Sequence, residues 1–293
     1  FTLCESLHEA DQVFEMILEP STYSWNAIIS VYAQHGDSEK TLMFFQQMKE
    51  NDVKPNAITF SSVLGACNNP NYLVHGEAIH TKIVGSGFFS DIVIQNALID
   101  MYGKCCALVK AREVFEQLPV WDVVSWTALI SAYAQHGYCE EALNCFERMQ
   151  GEGHLPNAVT FLSVLSACSH CGLMDEAQML FGNMIRKNGF TPNIEHYTWI
   201  VGVLGCAGHF DKAMSVIHVM PSSHSLGVWL ALLNACRKWV NVELGSLAFD
   251  RAIQLDSLCG APYVLMSDIY LNVGMPEAAK KVEAMKLKLS PLD

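Results

Sequence analysis

The sequence predicts an all-α chain, an α-solenoid of stacked helix-turn-helix repeats, and three observations carry that prediction. Residues 22–56, TYSWNAIISVYAQHGDSEKTLMFFQQMKENDVKPN, and residues 123–157, VVSWTALISAYAQHGYCEEALNCFERMQGEGHLPN, agree at 16 of 35 positions across an offset of 101 residues. The same offset relates AITFSSVLGACN at 57–68 to AVTFLSVLSACS at 158–169. Within each copy the apolar residues recur at spacings of three and four, the period of a helix and not of a strand. Self-similarity of this kind marks a repeat architecture, in which neighbouring units bury what one unit leaves exposed.

Each element follows from local chemistry. Trp25, Ile28, Ile29 and Tyr32 make the apolar face of a first helix, and Leu42, Phe45 and Met48 that of a second. Gly36 stops the first and Asp37 caps the next. Pro55-Asn56 ends the second helix, as Pro156-Asn157 does in the later copy, because the residue before proline is pushed out of the α region. A third pair, IVIQNALIDMYGKC from residue 92 and IEHYTWIVGVLGCAG from residue 194, completes a triplet of sub-repeats that is written twice. The expected hairpins are 22–56, 57–91, 92–122, 123–157, 158–193 and 194–225. Residues 1–21, with LCESLHEADQVFEMI, read as the second half of a preceding repeat. Six hairpins in series bury a continuous core with the first helices lining one face. Trp25, Trp126, Met48, Met149 and Met184 read as core at helical spacing.

With 293 residues, 51% of them hydrophobic and 16% charged, the chain can sustain such a core, and disorder is excluded as its main state. Residues 153–174 carry no charged side chain, but Pro156, Asn157, His170 and Gly172 interrupt them, so no membrane span is expected. The eleven cysteines are odd in number and sit mostly in apolar helical patterns; the expectation is buried, reduced thiols and no structural disulfide.

These residues resemble the pentatricopeptide repeat proteins of plants, in the subfamily that alternates standard, long and short repeats. The resemblance rests on VVSWTALISAYAQHG with EEALNCFERM, on GEAIHTKIVGSGFFSDIVIQNALIDMYGKC and on PNIEHYTWIVGVLGCAG, and it covers essentially the whole chain. Residues 226–293, with GVWLALLNACRKWVNVELGSLAFDRAIQLD and PYVLMSDIYLNVGMPEAAKKVEAM, resemble the family's E-type extension of tetratricopeptide-like hairpins.

The resemblance implies a right-handed solenoid that binds single-stranded RNA in a mitochondrion or chloroplast, one base per repeat, as a monomer. It further implies site recognition for C-to-U editing, with the deaminase supplied by a partner or by a further C-terminal segment, and a protein partner on the extension. The base-reading residues it implies are the fifth and last of each repeat: Asn26 with Asn56, Asn96 with Asp122, and Thr127 with Asn157. The family's preferences assign these a pyrimidine, U and A in turn. Thr198 is the fifth residue of the last short repeat, closed by Ser225 where the family has Asp or Asn. The long repeats offer Ser61 with Asp91 and Leu162 with Asn193, and Leu162 cannot hydrogen-bond. The base-flanking second residues are Tyr23, Val93 and Val124; Glu195 breaks that pattern.

Each reading has a plainer alternative. Asn56, Asp122 and Asn157 stand where Asn and Asp are favoured simply as helix caps. Asn26, Asn96, Thr127 and Thr198 fall inside apolar first helices, where a recurring polar residue is harder to explain as surface. The formal charge of −12 opposes attraction to phosphate and suits a scaffold for protein partners, the alternative function. It is reconciled with RNA if Glu39, Glu140, Glu141, Asp175 and Glu176 lie on second helices, away from the groove.

Catalysis finds no support: there is no G-x-S-x-G, no P-loop and no plausible triad spacing, and the chain is read as a non-enzyme without a cofactor. His75-Gly76-Glu77 and Cys168-Ser169-His170-Cys171 echo the zinc motifs of cytidine deaminases. The cysteine pair lacks its preceding proline and lies far downstream, and Cys105-Cys106 is not a C-x-x-C, so no metal site is expected.

Overall fold

The computed structural model describes residues 7–186, 189–221 and 225–287. Residues 1–6 of the expected leading half-repeat and 288–293 of the expected extension therefore lie outside the described residues. Among the described residues the chain is all-α, with seventeen α-helices, two 3₁₀ turns and no strand. They fall into two compact units, 1–154 and 155–293.

The first unit opens with α1 (Leu7–Glu15) and continues as four hairpins. These are α2 (Thr22–Gln34) with α3 (Ser38–Glu50), α4 (Ala57–Ala66) with α5 (Leu73–Ser86), α6 (Ile92–Lys104) with α7 (Leu108–Glu116), and α8 (Val123–Gln135) with α9 (Cys139–Gly151). The first helices α2, α4, α6 and α8 pack each on the next, and each second helix packs on its own partner.

The second unit repeats the scheme. Its first helices are α10 (Ala158–Cys171), α12 (Ile194–Cys206), α14 (Leu226–Trp239) and α16 (Ala261–Asn272). Their partners are α11 (Met174–Arg186), α13 (Phe210–Val219), α15 (Val242–Leu255) and α17 (Pro276–Leu287). Each unit is thus an α-solenoid, and no described helix is long and apolar enough to cross a membrane.

One turn closes most of these hairpins. A residue with positive φ follows the first helix at Gly36, Cys106, Gly137, Gly172, Gly208, Val240 and Gly274. The next N–H then reaches back to a carbonyl five residues earlier, as Asp37 to Tyr32, Ala107 to Tyr102 and Tyr138 to Tyr133. This satisfies a carbonyl that the helix end would otherwise leave unpaired. Glycine enters the left-handed region without steric cost, which explains five of the seven positions.

The core forms where periodicity placed it. Trp25 packs edge-on against Phe14 of α1 at 4.8 Å, and Trp126 meets Phe115 of α7 in the same way at 4.7 Å. Met48, Met149 and Met184 are fully buried. Several thiols are buried too, and desolvation pushes Cys67 and Cys236 up to about 12 and Cys168 up to about 11. The expectation of no disulfide is overturned at two positions: Cys139 and Cys171 are disulfide-bonded.

Candidate nucleic-acid interface

The loop residue that closes one hairpin is the N-cap of the next first helix. Asn56 caps α4, Asp122 caps α8, Asn157 caps α10 and Asn193 caps α12, each through a capping box with the third helical residue. That residue is Thr59, Ser125, Thr160 or His196 in turn, and all four are buried. The cap oxygen accepts the N3 N–H, and the N3 side chain returns a bond to the cap's own backbone, so two orphan donors are satisfied at once. The signal was present in the sequence as N-A-I-T, D-V-V-S, N-A-V-T and N-I-E-H.

The fifth residue of the preceding first helix joins this box in two repeats. Asn26, buried in α2, donates from Nδ2 to Asn56 Oδ1 at 3.0 Å, and its own Oδ1 accepts from the Thr59 hydroxyl. Asn56 Oδ1 also accepts the Thr59 N–H at 3.1 Å. Its oxygen is therefore fully engaged, while its Nδ2 has no protein partner among the described residues.

The second pair repeats the plan with a different outward group. Asn96 Nδ2 reaches Asp122 Oδ1 at 3.5 Å, and Ser125 donates to that same oxygen from N–H at 2.7 Å and from its hydroxyl at 2.8 Å. Asn96 Oδ1 is buried without a partner among the described residues. Burial pushes the Asp122 carboxyl up, but donation from Ser125, Asn96 and the Val124 N–H outweighs it and holds the pKa below the ordinary value. Asp122 thus stays ionised with Oδ2 as a spare acceptor, where Asn56 holds a spare donor.

The other expected residues are placed as follows. Thr127 is buried in α8 with its hydroxyl on Val123 O at 2.6 Å, and Asn157 caps Thr160 at 2.9 Å. Thr198 donates to Ile194 O at 2.8 Å. Ser225 is the N-cap of α14 but makes no side-chain cap bond. The bare Cα of Gly227 lies beside both: a Cβ there would stand 3.7 Å from the Thr198 and Ser225 hydroxyl oxygens. Ser61 and Asp91 are not joined; Ser61 turns to Ile58 O, and Asp91 accepts the Val93 N–H.

In the first unit the second residues of the first helices form an exposed apolar row. Tyr23, Val93 and Val124 are 84%, 60% and 57% exposed. Ile58 of the same unit and Val159 of the second unit, neither named from the sequence, match them at 56% and 55%. Apolar side chains held in water at one place per helix are not packing residues. Glu39, Glu140, Glu141, Asp175 and Glu176 all lie in the first turns of second helices, where they complement the helix dipole; Glu176 is half-buried and the other four are exposed. No three His, Cys, Asp or Glu side chains converge as a metal site among the described residues.

The repeat itself decides the family. A sequence profile for the PPR repeat family matches residues 20–69 and 121–170, and one for the PPR repeat matches 96–123 and 159–189. The chain belongs to the pentatricopeptide repeat family. A pentatricopeptide repeat-containing protein of Arabidopsis thaliana is 38% identical over 282 residues, covering 96% of this chain and 56% of its own length. CRR2, a chloroplastic family member of the same plant, is 39% identical over 94% of this chain and 42% of its own. A putative mitochondrial member is 38% identical over 96% and 45%. The chain thus spans about half the length of these relatives. The crystal structure of the pentatricopeptide repeat protein PPR10 in complex with an 18-nt psaJ RNA element superposes with a TM-score of 0.76 at 21% identity, over 98% of this chain and 43% of that one. That likeness speaks for the fold.

Proposed function

We propose that this pentatricopeptide repeat chain binds single-stranded RNA base by base, with Asn26/Asn56, Asn96/Asp122, Thr127/Asn157 and Thr198 as readers. Tyr23, Val93 and Val124 flank the bases, joined by Ile58 and Val159. The observation that carries the reading is the split use of the cap side chain. One atom closes the helix, and the other faces outward as a donor in Asn56 and an acceptor in Asp122. A carboxylate oxygen suits the N3–H of uracil, and an amide N–H suits the acceptors of a pyrimidine edge. The exposed apolar row supplies the faces between which unstacked bases sit.

The wider role follows the same reading: residues 22–225 are the RNA-binding repeats and 226–293 an E-type extension that holds a protein partner. The chain would then select sites for C-to-U editing in a mitochondrion or chloroplast, with the deaminase acting in trans or from a further C-terminal segment. Relatives named chloroplastic and mitochondrial support the compartment. The test is binding at physiological salt to a short RNA of the form pyrimidine-N-U-A and to variants with A replaced by G or U. The same series is repeated with Thr127→Asn plus Asn157→Asp. Preference for A that moves to U in the double variant supports the register; binding without discrimination, or none, returns the chain to a protein scaffold.

A further inference from the structure

The α6–α7 turn departs from its equivalents. Where Gly36, Gly137, Gly172, Gly208 and Gly274 take the left-handed residue, this turn places Cys106 at φ 60. A side chain with a Cβ resists that conformation. The substitution sets an exposed thiol on the turn, next to Cys105, which is buried with its thiol directed at the Cys67 and Asn69 carbonyls at 3.2 and 3.1 Å.

Cys106 has a base beside it. Its Sγ lies 3.5 Å from His136 Nδ1, and His136 Nε2 lies 2.7 Å from Gly103 O. A carbonyl can only accept, so Nε2 carries the proton and Nδ1 presents its lone pair to the thiol. The chain enforces this orientation: a Cβ on Gly103 would stand 2.6 Å from Ala132 Cβ, so glycine permits the close approach of α6 to α8 that brings the carbonyl to the ring. The matching His35 of the other copy shows that the motif alone does not produce it, because His35 Nδ1 bonds Val31 O of its own helix at 2.8 Å.

We propose that Cys106 is a thiol–disulfide exchange site for a small soluble disulfide, with His136 as its base. As Sγ attacks one sulfur of the disulfide, its proton passes to Nδ1. The new S–S bond forms, the old one breaks, and the departing thiolate takes the proton from Nδ1. Cys106 is oxidised, the small disulfide is reduced to one mixed disulfide and one free thiol, and excess small thiol reverses the step. Cys105, buried and raised in pKa by desolvation, stays out of the exchange.

The test is exposure of the folded chain to oxidised glutathione at pH 7, with fragment-ion mass spectrometry separating Cys105 from Cys106. The reference is a free peptide of residues 104–110, because exposure alone cannot make a folded thiol faster than the same thiol in a peptide. Cys106 is expected to react about threefold faster or more than the peptide. In His136→Gln the rate is expected to fall to the peptide's or below. A folded rate no higher than the peptide's overturns the proposal, as does an unchanged rate in His136→Gln. Where circular dichroism shows that variant unfolded, the native chain against its own peptide decides.

Discussion

Asn26 donates to Asn56 at 3.0 Å, across the gap between one first helix and the cap of the next. The bond makes the two residues one unit: the buried amide fixes the orientation of the capping amide, and Thr59 closes the circuit by donating to Asn26. Under the proposed reading, capping and base recognition would be two ends of one side chain, and the cap's rigidity is what would preorganise the reader.

The Thr59 hydroxyl is therefore expected to matter more than its size. Thr59→Val leaves Asn26 Oδ1 and the Asn56 N–H without partners in a buried site and should cost about 1–3 kcal/mol. Thr59→Ser keeps the hydroxyl and should cost clearly less. Urea denaturation of both variants checks this, and equal costs would show that the circuit contributes nothing.

Asp122 predicts a pH dependence. Its folded pKa lies below the unfolded value of about 3.9, so its contribution is fully present above that value and is lost as the pH falls through the folded pKa. Asp122→Asn keeps a capping oxygen but removes the titration. The stability difference between the native chain and this variant should be constant above about pH 5 and change only below about pH 4. A difference that changes between pH 5 and 7 would point to another group.

The exposed apolar row separates binding from folding. Ile58→Ser and Val124→Ser should change stability by no more than about 0.5 kcal/mol, since neither side chain is packed. RNA affinity should fall about fivefold for each, near the lower bound of a lost stacking contact. Fluorescence anisotropy beside thermal melts would show it; an unaltered affinity in Ile58→Ser would confine the row to Tyr23, Val93 and Val124.

Trp126 should behave as core. It is fully buried on Phe115, and its indole N–H has no partner among the described residues. Trp126→Ala is expected to cost about 3–5 kcal/mol, and Trp126→Phe markedly less because no hydrogen bond is lost with the indole nitrogen. Equal losses on calorimetry would mean that the N–H is engaged after all.

The fold was legible because the repeat is written twice: the offset that pairs Trp25 with Trp126 also pairs Phe14 with Phe115, and the structure uses both pairs alike. What stayed hidden depends on atoms that residue letters do not order. Asn56 was legible as a cap, but that its Oδ1 takes every cap bond and leaves Nδ2 without a protein partner among the described residues is a matter of geometry. Ile58 is an apolar letter in an apolar helix, and only its place in the first turn, 56% exposed, sets it apart from the core. Cys106 sits where five of the other six turns carry glycine, and only the conformation shows the thiol standing before His136.

The most direct measurement is the base preference of Asp122→Asn. The substitution preserves the cap on α8 and exchanges the outward acceptor for a donor. Binding would be compared on RNAs that carry U or C opposite the Asn96/Asp122 repeat and are otherwise identical. The native chain is expected to prefer U and the variant to lose that preference or move to C, by about tenfold, or about 1.4 kcal/mol. The same ratio of U to C binding in both proteins, with the fold intact, would contradict the claim that the outward atom of the cap reads the base.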